Sequence, residues 1–229
     1  MVQENTLHNV YQTKINSLIP GTTYAIAFER IKEGDTILEI GCATGYWGEY
    51  TKNHKNVEIY GLDYLDYHVE QAKKTNCYKD VIQYDLNKID DSLDYLEHSF
   101  SKIVILDVLE HLYDPPSVLQ WCKKMLKPGG QIIISIPNIA HKSIIHQLLL
   151  NQFNYTQFGL LDRTHIRFYT ATTFQKMLKE QNLEVLKLMK IVNPQSEYEA
   201  QLPPEIRNYV NSLPESICFQ YVFTVYQND

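Results

Sequence analysis

The chain has 229 residues, of which 44% are apolar and 21% charged. That is ordinary globular usage, which excludes wholesale disorder and suffices for a sizeable core without disulfides or metals. The formal net charge of −6 argues against a broad phosphate-binding surface, because nucleic-acid binders show a basic face.

The amino end, MVQENTLHNV, has neither a basic region nor an apolar stretch, so no secretory signal is expected. No apolar run approaches the ~20 residues of a membrane span. Cys42, Cys77, Cys122 and Cys218 form no CxxC pair and read as free thiols of a cytoplasmic protein. The expected partner is a small molecule, with no nucleic acid and no membrane span.

In chain order, 5–18 and 22–32 are predicted helices split by the Pro20-Gly21 turn signal. Residues 36–40 are a predicted strand, 46–55 a helix, 57–62 a strand ending at Asp63, 65–74 a helix and 78–84 a short strand. Residues 102–106 are continuously apolar after Lys102, as suits a strand buried on both faces. A helix over 117–126 stops at Lys127-Pro128-Gly129-Gly130, and 131–136 is another buried strand closed by Pro137. Strand–helix alternation of this kind implies right-handed βαβ units and a doubly wound parallel sheet.

After Pro137 the rhythm changes. Residues 140–151 are predicted helical, and 152–169 are irregular and rich in aromatic residues. A helix over 170–182, capped by Thr170 or Thr172, leads into a strand over 183–192. Residues 193–216 carry four prolines and read as loop with a short helix, before a last strand over 217–226. No linker divides the chain. The expectation is one domain over 1–229, with an N-terminal helical segment at 1–34 and an insertion at 140–169.

The sharpest motif follows the first strand: Glu39-Ile40-Gly41-Cys42-Ala43-Thr44-Gly45. Glycines let the backbone turn tightly and let a ligand approach its N–H groups. The helix that follows points its amino end at the same spot. The dinucleotide fingerprint G-x-G-x-x-G is missing, and the loop by itself also suits a plain strand-to-helix turn. Asp63 ends the second strand, where a carboxylate accepts hydrogen bonds from ribose hydroxyls or caps a helix. Asp85, in Tyr84-Asp85-Leu86, is placed to accept an adenine amine or to sit in a solvated turn. DVLEHLYDPP over 107–116 ends the fourth strand, and LKPGGQIIISIPN over 126–138 contains the fifth.

Taken in this order, these five segments closely resemble the class I S-adenosylmethionine-dependent methyltransferase family, over about residues 35–140 and more weakly beyond. Ala43 departs from the pattern, since the family often has a third glycine there; one added methyl is expected to be tolerated. The resemblance implies a Rossmann-like α/β fold: a doubly wound, seven-stranded sheet with helices on both faces. It is mostly parallel, with the last strand antiparallel and inserted between strands five and six. The implied cofactor is S-adenosylmethionine and the product S-adenosylhomocysteine. Gly41, Cys42, Ala43 and Gly45 are implied to lie under the methionine part. Glu39 supports the loop and the methionine ammonium, and Asp63 holds the ribose. Tyr64 or Leu65 packs on the adenine, Asp85 with Leu86 meets its amine, and Asp107 and Val108 face the methionine end.

Methyl transfer is an in-line displacement at an activated sulfonium methyl, so the protein mainly supplies alignment. An oxygen acceptor also needs its proton removed, a task that suits histidine. His111 follows Glu110 just past the fourth strand, at the edge where open α/β sheets bind ligands. The family often carries this Glu-His pair, with its histidine lining the cleft. His165 lies in DRTHIRF over 162–168. That run resembles a D-x-x-H-x-R-x-F segment of relatives that modify small molecules and cell-surface glycans, where it borders the acceptor pocket. If the run is extended, Arg163, His165 and Arg167 share one face. His165 and His111 are therefore the candidate bases. His141, Arg163 and Arg167 are candidate acceptor contacts, the arginines suiting a phosphate or carboxylate. The structural alternatives are histidines bonded to backbone groups and an Asp162–Arg167 pair pinning the insertion.

No metal is expected, since neither HExxH nor a cysteine pair is present; Asp107, Glu110 and Asp114 are the nearest approach to a Mg²⁺ set. The expected function is methyl transfer to a small acceptor, first a sugar, nucleotide sugar or surface-glycan precursor. The alternatives are a phenolic or quinone-like metabolite, or a non-catalytic cofactor-binding module. A nicotinamide dehydrogenase is opposed by the missing fingerprint.

Overall fold

In a computed structural model, which describes residues 17–227, seven strands pair into one sheet. They are β1 (Thr36–Ile40), β2 (Glu58–Asp63), β3 (Asp80–Gln83), β4 (Phe100–Leu106), β5 (Leu126–Pro137), β6 (Leu183–Val192) and β7 (Cys218–Gln227). Their order is β3-β2-β1-β4-β5-β7-β6. Strands β1 to β5 pair in parallel, while β7 runs antiparallel to β5 and β6. This is the topology that the family resemblance implies. The chain turns to one side of β1 to make β2 and to the other to make β4. The carboxyl ends of β1 and β4 thus flank a switch point, where open sheets hold ligands.

The period of two along each strand divides the core between two faces. Leu38, Ile103, Ile105, Ile132 and Ile134 face one layer with Trp121, Phe174 and Phe223. Ile37, Val104, Ile133 and Val222 face the other with Ile26 and Trp47. Helices α4 (Pro115–Met125) and α6 (Ala171–Glu180) cover the first face, and α1 (Thr23–Glu29) and α2 (Tyr46–His54) the second. Strands buried on both faces carry continuous apolar runs, which is why Ile132 to Ile134 are all 0% exposed. Three helices complete the set: α3 (Asp66–Lys74), α5 (Lys142–Leu149) and α7 (Pro204–Ser212). Among the described residues, no helix is long and apolar enough to cross a membrane.

Local signals set the boundaries. Asp114 caps α4 by accepting from the Ser117 amide, with Pro115 and Pro116 opening the helix. Thr170, not Thr172, caps α6, in a reciprocal box with Thr173. Two expectations shift. The predicted helix over 5–18 falls almost wholly outside the described residues. The Lys127–Gly130 turn is absorbed into the start of β5: Phe100 pairs with Leu126, and the register then shifts before Lys102 pairs with Gln131. Gly130 lies against the Phe100 and Lys127 carbonyls, so the turn folds as a bulge on the strand.

Candidate active site

The candidate cofactor residues lie along one sheet edge, at the carboxyl ends of β1, β2, β3 and β4. Gly41 has φ +71°, and a Cβ there would meet Val108 Cγ2 at 2.5 Å. Glycine is therefore required at this point, and the β1 loop and the segment after β4 press together. Ala43 also adopts a positive φ, 47°, as a third glycine would. Its strain is offset by Asp63, whose Oδ2 accepts from the Ala43 amide at 2.9 Å. Gly45 is the N-cap of α2, with no side-chain cap bond, so the amino end of that helix faces the edge without a side-chain cap. Cys42 is buried, at 1% exposure, beneath the loop.

Asp63 proves more engaged than a ligand contact alone requires. Its Oδ1 accepts from the Leu65 amide at 3.0 Å and lies 3.1 Å from His68 Nδ1. It ties the glycine loop to the end of β2 and retains little spare acceptor capacity. Tyr64 is exposed. Asp85 is half-exposed, accepting from the Asn87 amide at 3.0 Å and pairing with Lys88 at 3.3 Å, above the buried Leu86. Asp107 holds a positive φ of 56° at the end of β4. Ser135 Oγ fixes this turn, accepting from the Asp107 amide at 2.9 Å and donating to Asp107 Oδ1 at 2.6 Å. Gln220 Nε2 donates to the same oxygen, and Thr23 Oγ1 donates to Gln220 Oε1. Helix α1 is thereby linked to the end of β4. Its Tyr24 bonds Tyr46 hydroxyl to hydroxyl, and burial pushes the Tyr24 phenol up to about 12.

The two candidate bases, 54 residues apart in sequence, come together. The His111 and His165 rings meet edge to face with centroids 4.7 Å apart. His165 Nδ1 lies 3.2 Å from the Leu160 carbonyl, and His111 Nδ1 lies 3.2 Å from the Thr164 carbonyl. Carbonyls can only accept, so both Nδ1 atoms carry the hydrogen and each Nε2 keeps its lone pair. Burial lowers the pKa of both rings, which keeps them neutral near pH 7. Beneath them lies Glu110, 1% exposed, with Oε1 3.9 Å from His165 Nε2 and Oε2 without a hydrogen-bond partner. Burial, and then the nearby Asp107, raises the Glu110 carboxyl well above the usual range. The ligand atoms of the three side chains all lie within 4.8 Å of one another. Such a trio can relay a proton or hold a divalent cation. The sequence offered Glu110 only beside His111 and in the Mg²⁺ set, not as a partner of His165, because burial of an acid is not legible in its letter.

Three expectations about the acceptor side change. Residues 163–164 form a turn, set by Asp162 Oδ1 accepting from the Thr164 amide and hydroxyl. Arg163, His165 and Arg167 therefore do not share one extended face. The Arg167 guanidinium donates to the Tyr113 carbonyl instead of pairing with Asp162. His141, 1% exposed, spends Nδ1 on Ser143 and Nε2 on the Asn193 carbonyl at 2.7 Å, so it anchors the 193–216 segment. Arg163 keeps its place: with Tyr155, His165, Ile166 and Phe168 it lines a cleft of about 520 Å³. Asp114, spent as a helix cap, leaves the Mg²⁺ set that the sequence suggested.

A family model described as a methyltransferase domain matches residues 11–188. The ubiquinone biosynthesis O-methyltransferase of Neisseria meningitidis serogroup A is 25% identical over 122 residues, which is 52% of this chain and 51% of that protein. The mitochondrial ubiquinone biosynthesis O-methyltransferase of Homo sapiens is 25% identical over 173 residues, 72% of this chain and 46% of its own. The chain spans about half the length of the curated relatives it matches. A crystal structure of a Pyrococcus horikoshii protein superposes with a TM-score of 0.64 at 14% identity, covering 97% of this chain and 98% of that one, a likeness of fold. The domain match takes in most of the chain, including every element of the glycine-loop edge and the Glu110–His111–His165 trio. On that match and this sheet order, the chain belongs to the class I S-adenosylmethionine-dependent methyltransferase family.

Proposed function

We propose that this chain methylates an oxygen of a small aromatic acceptor, of phenolic or quinol-like class. The observation that carries this reading is the Glu110–His111–His165 trio, with His165 lining the cleft beside Tyr155, Ile166 and Phe168. Two aromatic rings and a branched aliphatic side chain suit a flat ring, and the single Arg163 suits an anionic or carbonyl substituent on it. Relatives named as O-methyltransferases of ubiquinone biosynthesis favour the same acceptor class. A sugar carrying a diphosphate has less support, because Arg163 and Arg167 form no paired clamp.

The cofactor's chemistry fits the residues present. Glu39 is a buried carboxyl with no cation partner among the described residues, as suits a cationic ligand. The amino end of α2 offers amides without a side-chain cap. We assign Glu39, Gly41, Cys42, Ala43 and Gly45, with Asp107 and Val108, to the methionine end. Asp63 faces the ribose, and Tyr64, Asp85 and Leu86 face the adenine. When bound, S-adenosylmethionine supplies the activated methyl group. The chain's own task is then to align the acceptor and take its proton. His165 Nε2 takes that proton, with the buried Glu110 carboxyl 3.9 Å away.

The test is an acceptor screen scored by S-adenosylhomocysteine release. Phenols and catechols should turn over, and nucleotide sugars should not. Turnover of a nucleotide sugar alone would overturn the acceptor class.

A further inference from the structure

Tyr78 lies between α3 and β3 and belongs to none of the motifs that announced the cofactor site. Its ring nevertheless enters the site from behind. The hydroxyl donates to Glu39 Oε2 at 2.6 Å, and the ring packs with Cys42, Val69, Ala72 and Val81. Glycines from two elements leave room for it. A Cβ on Gly48, within α2, would sit 2.1 Å from the Tyr78 hydroxyl, and one on Gly61, within β2, 3.1 Å from its ring. Neither glycine has a positive φ, so close approach and not backbone conformation calls for glycine at both.

The partner of that hydroxyl is the exceptional group. Glu39 is 6% exposed. The titratable groups around it are Tyr78, Asp63, Cys42 and the Tyr24–Tyr46 hydroxyl pair, none of them cationic. A buried carboxyl without a cation resists ionisation. Desolvation accordingly raises Glu39 to about 8, with the donated bond from Tyr78 opposing the rise.

We infer that Tyr78 is a positioning residue for cofactor binding: its hydroxyl aims Glu39 at the glycine loop and stabilises the carboxylate that meets the cofactor's cationic methionine end. The inference rests on the reading of Glu39 as neighbour to that end. Phenylalanine at 78 keeps the ring in its glycine-lined slot and removes the hydroxyl, both the donor to Glu39 and the acceptor from the Gly48 amide. The ionisation of Glu39 then becomes harder before cofactor arrives.

The experiment is calorimetric titration of S-adenosylhomocysteine into the full chain, wild type, Tyr78→Phe, Glu39→Gln and the double variant, from pH 6.5 to 9.5, with melting curves in parallel. Tyr78→Phe should weaken binding roughly 10-fold near pH 7, the scale of one lost hydrogen bond to a charged group. The loss should shrink towards pH 9.5, where Glu39 ionises without help. The ligand's own ammonium titrates identically against both proteins and drops out of the ratio. In the double variant, Tyr78→Phe should add nothing to Glu39→Gln. A loss of affinity independent of pH, or a fall in melting temperature with affinity unchanged, would overturn the role of Tyr78. Wild-type affinity in Glu39→Gln would instead overturn the reading of Glu39. Weak binding by Glu39→Gln with full binding by Tyr78→Phe would keep that reading and reject Tyr78.

Discussion

At the scale of single residues, burial sets the chemistry. The Glu39 carboxyl ionises near 4.5 when unperturbed and near 8 in the fold. Between these values the folded chain holds a proton that the unfolded chain has released, so stability falls as pH rises through the window. Below it the two states are protonated alike. Without cofactor, Glu39→Gln should therefore melt like the wild type at pH 4 and several degrees higher at pH 9. Calorimetry across that range checks the sign, and equal melting temperatures at pH 9 would contradict it. The same reasoning applies to His165, whose neutral ring is kept ready by burial. His165→Ala should lower turnover about 10²- to 10⁴-fold, the usual worth of a positioned base. S-adenosylhomocysteine affinity should change by no more than about 2- to 3-fold, since the ring lies outside the glycine-loop edge. Unchanged turnover would pass the role to His111.

At the scale of elements, the acceptor side is a loop region pinned to a strand end. The Ile166 and Arg167 amides donate to the Glu110 carbonyl at 2.9 and 3.0 Å, and the Arg167 guanidinium to the Tyr113 carbonyl. These bonds bring His165 to His111. Arg167→Ala should lower the melting temperature by about 2–4 °C, the shift expected per kcal/mol in a chain of this size. It should also raise the acceptor KM and speed proteolysis within 152–166, leaving cofactor affinity alone. An altered KM with an unchanged proteolytic pattern would return Arg167 to direct acceptor binding. The strands were legible because short apolar runs between helical patterns, such as 102–106 and 131–136, are a property of the letters; their order came from the family resemblance. The glycine loop and its acids were legible for a similar reason, being local in sequence. The turn at 163–164 was misread, although Asp162 two residues before Thr164 is an Asx-turn signal. Tyr78 was not legible at all, and Glu110 was legible only as the neighbour of His111 and a member of the Mg²⁺ set. Their roles come from what surrounds them, a glycine-lined slot in one case and burial beneath two histidines in the other.

At the scale of the whole molecule, the charge balance bears on which acceptors can approach. The chain carries 27 acidic against 21 basic residues, a net −6. A polyanion meets repulsion from such a surface, falling off over the ~8 Å Debye length at physiological salt. Binding to nucleic acid draws most of its strength from counterions released at a basic face. Several cationic side chains are committed elsewhere. Lys142 pairs with Glu199 at 2.8 Å, Lys79 with Glu58 at 3.0 Å and Lys190 with Glu215, while Arg167 is held by Tyr113. Among the described residues, Arg163 is the one cation lining the cleft, enough for one substituent on a small acceptor. The chain should therefore show no band shift with duplex DNA or with RNA at physiological salt, and none on lowering the salt. Binding that strengthens steeply as salt falls would reveal a basic track formed outside these residues and would reopen nucleic acid as the acceptor.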